Sequence, residues 1–367
     1  MDILIFIFIL LGLVIVHEWG HYIAAKKSGV RVEEFGFGIP PRVFGKKFGP
    51  EPKPGEEDDR TLFSLNLLPI GGFVRMTGED SVYNDERDPK NFQNAKLINR
   101  MVIVLAGVFM NFIVGIGLFA IVYSYTGIPD NPPVIDVLVE NVAENSPAKT
   151  VGLQSKDRIV SINDMQVKSS DALVKVVGEN LDKEVNLVVM RGAREINVTV
   201  VPRSNPPEGQ GALGVELGQD VRTTFYPWYV MPFHGIAAGM RDTAEMAKQI
   251  VPALSNLVGT IVMQQKVPED VSGPVGIARA SSMFCGGGIL PCLQFAGLLS
   301  VNLAIFNLLP IPALDGGRLM FMIYEAITRR RASAKLEQWA HTIGFVLLLL
   351  LIVLVTYKDI FFGTAFK

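Results

Sequence analysis

Charge is scarce in this chain: 19% of its 367 residues are Asp, Glu, Lys or Arg, against roughly 25% in a soluble globular domain. With a mean hydropathy of +0.33, that deficit argues against a soluble enzyme. The two signs almost cancel, 34 basic residues to 36 acidic for a net charge of −2, so no basic surface awaits a polyanion. No nucleic-acid-binding motif occurs either, and no nucleic-acid partner is expected. Cysteine is nearly absent. Cys285 and Cys292 alone cannot form a disulfide framework or a four-cysteine metal site, although they are close enough to bridge across Gly286–Gly288; free thiols fit equally well. There is no internal repeat, and the acidic, Pro-rich spacer at 51–59 is the one compositionally biased segment.

What is present is apolar sequence gathered into blocks. Ile3–Ala25 is long enough, at 1.5 Å per helical residue, to cross about 30 Å of hydrocarbon. Met101–Thr126, Ile289–Leu309 and Thr342–Thr356, the last extended toward Phe362, are three further blocks. No Lys or Arg precedes the first block and no small-residue cleavage site follows it, so it is expected to remain as a membrane helix. The pattern predicts a multi-pass α-helical membrane protein with about four transmembrane helices, in contact with a lipid bilayer. Lys26, Lys27 and Arg31 follow the first helix, and Arg318, Arg329, Arg330, Arg331 and Lys335 fill the loop before the fourth. Basic loops stay cytoplasmic, which would leave both termini extracytoplasmic in a cell's inner (plasma) membrane.

The polar segments have their own patterns. FGFGIPPRVFGKKFGP and TLFSLNLLPIGGFVRM are short, β-biased and bounded by Gly and Pro, as a β-hairpin lying near the membrane would be. Residues 133–203 alternate β-branched runs with one helical stretch at Ser170–Glu179, enough for an inserted α+β domain. Within it, SPAKTVGLQSKDRIVSINDMQV resembles the core of a PDZ domain in its circularly permuted bacterial form. After an aromatic cluster at Phe225–Trp228, Met240, Ala244, Ile250, Leu254, Leu257, Val258 and Ile261 recur at roughly helical spacing, the mark of an amphipathic helix on the outer leaflet. The expected division is 1–30, first transmembrane helix; 31–97, cytoplasmic, membrane-associated β-hairpin region; 98–127, second helix; 131–204, PDZ-like domain; 205–285, extracytoplasmic amphipathic-helix region; 286–330, third helix; and 338–362, fourth helix.

The chemistry begins inside the first helix, at His17-Glu18-Trp19-Gly20-His21. Histidines at i and i+4 lie about 40° apart round a helix and about 6 Å apart along it, so both imidazoles can reach one metal ion. Glu18, one step round, can instead touch a water on that metal as general base. With four histidines and 19 glutamates in the chain, chance would give about 0.002 such motifs. Ordinary core histidines would have to account for three ionisable groups in a lipid-spanning helix, where each charge costs on the order of 2.5–3.5 kcal/mol. Catalytic zinc takes three protein ligands plus water, so one is still wanting. His234 is expected on the extracytoplasmic side and His341 opens the fourth helix. Asp315 is better placed, at the cytoplasmic end of the third helix in Asn307-Leu-Leu-Pro310-Ile-Pro312-Ala-Leu314-Asp315-Gly316-Gly317, the depth expected for His17 and His21.

HEWGH in the first helix, NLLPIPALDGG in the third, the PDZ-like domain between them and SGPVGIA at Ser272–Ala278 together resemble the site-2 protease family of intramembrane zinc proteases, in its bacterial regulator-of-sigma-E branch. The resemblance spans nearly the whole chain. It implies one zinc ion per chain on His17, His21 and Asp315, Glu18 as base, and single-span transmembrane proteins as substrates, cut after a first extracytoplasmic cleavage by a site-1-type protease. It also implies that Asn302 and Asn307 hold substrate backbone and that 33–75 is a membrane-associated hairpin. Three departures stand out: one PDZ-like domain where well-known members have two, Asp136 where Gly is frequent, and Val108 where LAGVFMN would usually have Pro. An anion at 136 would repel a peptide's terminal carboxylate, which favours steric gating over tail capture. Gly107 and Asn111 are kept, the latter suited to an interhelical hydrogen bond.

A helical substrate hides its carbonyls in i to i−4 bonds and must be unwound before cleavage. An edge strand can supply replacement hydrogen bonds. The TLFSLNLLPIGG strand, with Ser64, Leu65, Asn66 and Leu67 as substrate contacts, and Asn307 are the candidates. Two rivals are a membrane PDZ adaptor with a structural zinc site, which would have no use for Glu18, and a zinc hydrolase of lipid or prenylated peptide, which would need no edge strand.

Overall fold

In the computed structural model the described residues are 2–49, 51–52, 58–79, 88–130, 135–167, 169–192, 194–207, 210–264 and 273–361. Phe362, Ser272 and most of the 51–59 spacer lie outside them. The chain divides into two units, one formed by Met1–Ser124 with Pro232–Lys367 and one by Tyr125–Met231.

The first unit begins with α1, Asp2–Lys27. Gly29, at φ +77°, takes the left-handed position that ends the helix, and Val30 N–H reaches back to Ala25 O at 2.9 Å. Two long strands follow, β1 (Val32–Phe48) and β2 (Thr61–Met76). Each reverses partway, near Gly38 and Gly71, both at φ +79°. The register therefore places four segments side by side: 72–76 beside 32–37, 32–37 also beside 62–65, and 62–65 also beside 44–47. Phe35, buried, stacks on Phe63 across this sheet, with ring centroids 5.5 Å apart.

Next comes α2, Leu97–Thr126, whose Arg100 is buried and paired with Glu325 at 2.6 Å.

The inserted unit is α+β: β3 (Ile128–Pro129), β4 (Ile135–Val142), α3 (Pro147–Thr150), β5 (Arg158–Ile162), β6 (Met165–Gln166), α4 (Ser170–Glu179), β7 (Val185–Arg191), β8 (Arg194–Val200), β9 (Val215–Val221) and β10 (Thr223–Thr224). Five strands run in the order β8-β7-β5-β4-β9, with β6 on β5. Val137, Ile159, Leu173, Leu187 and Val189 form the centre of its core. Ser146 and Ser169 cap α3 and α4, accepting from Lys149 N–H and Ala172 N–H at 3.1 Å each. Here the boundary expected at 204 gives way: β9 adds to β4 in this sheet and β10 closes on β3, so the unit runs on to Met231. A strand paired this far along the chain leaves no local periodicity to announce it.

The first unit resumes with α5 (Met231–Gln264), α6 (Pro274–Gly286), α7 (Ile289–Leu308), α8 (Asp315–Thr328) and α9 (Ala334–Phe361). The side chains of Leu254, Leu257, Val258 and Ile261, four of the residues expected on the amphipathic face, lie outside the description. Buried Gly276, Ala278, Ala280 and Ser281 let α6 pack closely between its neighbours α1 and α7. Cys285 and Cys292 form a disulfide joining the end of α6 to α7. The block at 286–330 is two helices, since Pro310 and Pro312 interrupt it between Leu308 and Asp315. Among the described residues four helical segments are long and apolar enough to cross a membrane: Leu4–Lys27, Leu97–Thr126, Ile289–Leu308 and Lys335–Phe361. The chain has the architecture of a multi-span membrane protein.

Candidate metal centre

One turn of α1 brings His17 and His21 onto the same side, and both are buried. Their Nε2 atoms lie 3.1 Å apart, and Asp315 Oδ2, at the start of α8, lies 3.0 Å from the first and 3.3 Å from the second. These three residues form the candidate metal-binding cluster among the described residues, their donor atoms all within 4.8 Å of one another.

The surroundings decide which lone pairs face inward. His21 Nδ1 donates to Ile103 O of α2 at 2.8 Å, so Nε2 of the neutral ring carries no hydrogen and can bind a cation. His17 Nδ1 lies 3.4 Å from the amide nitrogen of fully buried Asn111, whose Oδ1 has no hydrogen-bond partner. Turning that amide by 180° would set its oxygen to accept from Nδ1–H and free Nε2 of His17 in the same way. Asp315 Oδ2, likewise buried, lacks a hydrogen-bonding donor. With His17 in that tautomer, two imidazole nitrogens and a carboxylate oxygen converge without hydrogens between them, the donor set that fits zinc.

Glycine brings the helices this close. A Cβ on Gly107 of α2 would collide with His21 Nε2 and come within 2.8 Å of His17 Cε1, while one on Gly20 would strike the backbone of Ala106. On the opposite side, Gly316 and Gly317 leave room for the carbonyls of Leu309 and Ile311, which lets the loop turn Asp315 inward.

A cavity of 660 Å³ opens on the cluster, and Glu18 lines it with the three candidate ligands. Its wall includes Phe73, Val74 and Met76. This corrects the expected edge strand. Residues 62–65 are paired on both sides, Ser64 with Gly36 and with Gly45, and so have no free edge to offer a substrate. Ser64 and Asn66 are buried, Leu65 and Leu67 exposed, and none of the four lines the cavity. The segment beside it is Gly72–Met76, which among the described residues pairs on one side only, with β1. The PIGG turn was the sequence signal for that second reversal. Asn302 and Asn307 lie half-buried on α7 and do not line the cavity. The cavity is also lined by the ion pair of Arg318 with Glu79 and by His341, whose place beside it no local sequence pattern reports.

In the inserted unit, Asp136 carries two counter-charges, Arg222 at 3.1 Å and Arg158 at 3.5 Å. The repulsion expected from a lone anion there is therefore cancelled.

The family model for peptidase family M50 matches residues 5–351. The chain belongs to this family. A Clostridium perfringens protein designated a candidate zinc metalloprotease is 34% identical over 352 residues, with 96% of each chain covered. The regulator of sigma-W protease RasP of Bacillus subtilis is 29% identical over 433 residues, with 97% of each covered. The zinc metalloprotease RasP of Geobacillus kaustophilus is 28% identical over 437 residues, covering 98% of this chain and 97% of its own. Among solved structures, the PDZ domain of an SdrC-like protein from Listeria monocytogenes matches 22% of this chain and 85% of its own, at 22% identity and a TM-score of 0.20. As a member of family M50, the site-2 protease family, the chain is a zinc metalloprotease carried by membrane helices.

Proposed function

We propose that the protein cuts single-span transmembrane substrates within or near the bilayer, as one step of regulated intramembrane proteolysis, after a first extracytoplasmic cut by a site-1-type protease; an anti-sigma factor is the kind of substrate meant. The observation that carries this is the convergence of His17, His21 and Asp315, from two ends of the chain, on one buried point beside a cavity that Glu18 also lines. Those three residues would hold one zinc ion per chain. When bound, zinc supplies a Lewis acid that polarises a peptide carbonyl and lowers the pKa of water.

The chain's own groups do the rest. Glu18 takes the proton of the attacking water and returns it to the leaving amine. Gly72–Met76 accepts the unwound substrate as an added strand and aligns its carbonyl in the cavity. The regulatory reading is supported by the name of the Bacillus subtilis relative. A membrane adaptor with a structural zinc site has no role for a carboxylate on the cavity wall, and a lipid hydrolase none for the free strand edge.

The site faces the cytoplasmic side of the inner membrane, with both termini outside. The basic loops support this orientation, as does the Cys285–Cys292 disulfide, a bond of oxidising compartments. We take the inserted unit as PDZ-like and as a size filter for substrate ectodomains. The Arg158–Asp136–Arg222 cluster favours a second reading, in which it docks an acidic or C-terminal segment.

Co-expression with candidate single-span membrane proteins tests the proposal. Wild type should cut its substrate, and Glu18→Gln should accumulate it intact and associated. A hydrolysed lipid, or cleavage unchanged in Glu18→Gln, would refute it.

A further inference from the structure

The loop from Leu309 to Leu314 delivers Asp315, and nearly all its backbone N–H groups are satisfied locally. Leu309 N–H bonds Phe306 O at 3.1 Å, Ile311 N–H bonds Leu309 O at 2.7 Å, and Leu314 N–H bonds Ile311 O at 3.2 Å. Pro310 and Pro312 have none to place. Ala313 is different: its N–H donates to Nδ1 of His341 in α9, 2.9 Å away. Ala313 also stands at φ +83°, a region that a residue with a Cβ occupies only when its surroundings impose it.

Those surroundings come from α9 and α8. Gly344, three residues after His341, lets α9 close on the loop, and a Cβ there would come within 2.7 Å of both Pro312 C and Pro312 Cβ. Phe321 of α8 lies against the imidazole with 6.0 Å between ring centroids. His341 also lines the cavity that opens on the cluster. Because Nδ1 is an acceptor here, the neutral ring carries its hydrogen on Nε2, so His341 does not itself offer a lone pair to a metal.

We propose that His341 is a positioning residue of the metal centre: by accepting the Ala313 N–H it fixes the path of the loop, and with it the reach of the Asp315 carboxylate toward His17 and His21. The inference rests on the metal reading of those three residues. Among the described residues, the Ala313 N–H bond to His341 is the last hydrogen bond from the loop's backbone N–H groups to another element before the ligand. Metal sites tolerate ligand displacements of only about 0.2 Å, so releasing that anchor should act on metal affinity before it acts on the fold.

The test is metal binding by the purified full-length chain, stripped and then titrated with Zn²⁺ against a chromophoric chelator and with Co²⁺ followed by its visible absorption. His341→Phe keeps ring bulk and removes the acceptor. His341→Asn places an amide oxygen close to the Nδ1 position, and His341→Gln carries it out toward the Nε2 position. The expected result is at least about tenfold weaker zinc binding and an altered Co²⁺ spectrum for Phe and Gln, with affinity and spectrum restored in Asn. Wild-type binding in Phe would overturn the proposal, as would equal binding in Asn and Gln, a comparison that decides the matter even if Phe fails to fold. Asp315→Ala is the control for the underlying reading. If that variant binds metal like wild type, the ligand assignment has failed, whatever His341 does.

Discussion

His21 donates its Nδ1 hydrogen to the backbone carbonyl of Ile103 at 2.8 Å, and that one bond links the second membrane helix to the tautomer of a candidate metal ligand on the first. Helix packing and ligand chemistry are thus one problem in this protein, and Gly107 is where they meet. Gly107→Ala should leave the helices assembled yet push the imidazoles apart, weakening zinc binding about tenfold or more. Zinc titration of the variant beside wild type checks it. Unchanged affinity would mean that the α1–α2 approach has slack.

The strand assignment makes a contrast between two proline scans. Proline in 73–76, where the N–H points away from β1, should be tolerated by the sheet and keep zinc while slowing cleavage. Proline at Ser64, in a segment paired on both sides, should instead disrupt the sheet itself. Cleavage rate and zinc content read together separate the two. Normal cleavage across the first set would remove Gly72–Met76 from substrate binding.

In the inserted unit, Asp157 is fully buried, and its carboxylate accepts from Gln154 N–H at 2.8 Å and from Arg191 at 2.7 and 2.8 Å. Burial pushes this carboxyl up, but Arg191 and the Gln154 amide outweigh it and hold the group below the usual carboxylate range. A folded-state pKa below the unfolded value, about 3.9, means that the stabilisation is complete above it and is lost as pH falls through the folded value. Hydrogen exchange at β5 and β7, corrected for intrinsic rates, should therefore lose protection below about pH 4. Asp157→Asn should flatten that response and cost about 1–3 kcal/mol at neutral pH. An identical acid response in the variant would place the sensitivity elsewhere.

Ile128–Pro129 pairs with Thr223–Thr224, so the inserted unit enters and leaves at adjacent points. Replacing 130–222 by a short linker should spare the membrane helices and the zinc. If the unit filters by size, the deleted protein will cut substrate whose ectodomain has not been trimmed, with Glu18 still required. Loss of cleavage of trimmed substrate, with zinc retained, would make the unit a dock, as the arginines beside Asp136 would suit.

What could be read in the sequence was what lies close along the chain or repeats with a fixed period. His17, Glu18 and His21 share one turn of one helix, and the apolar blocks coincide with four long helices because lipid demands both length and hydrophobicity. Asp315 followed from its depth and from the prolines that break the helix before it. Alternation along TLFSLNLLPIGG marks a strand but says nothing about how many neighbours the strand has, so it does not tell which half of β2 keeps a free edge. β9 likewise finds its partner β4 far back along the chain, which no local alternation reports. Gly107 acts where two helices approach and Gly344 and His341 where α9 meets the Leu309–Leu314 loop, contacts between segments distant in sequence that no local pattern reports.

The zinc content of three purified proteins tests the central claim most directly. Wild type and Glu18→Gln should each hold one zinc per chain, only the first of them cutting substrate, and Asp315→Ala should hold none. Full zinc occupancy in Asp315→Ala, or turnover by Glu18→Gln, would contradict the account.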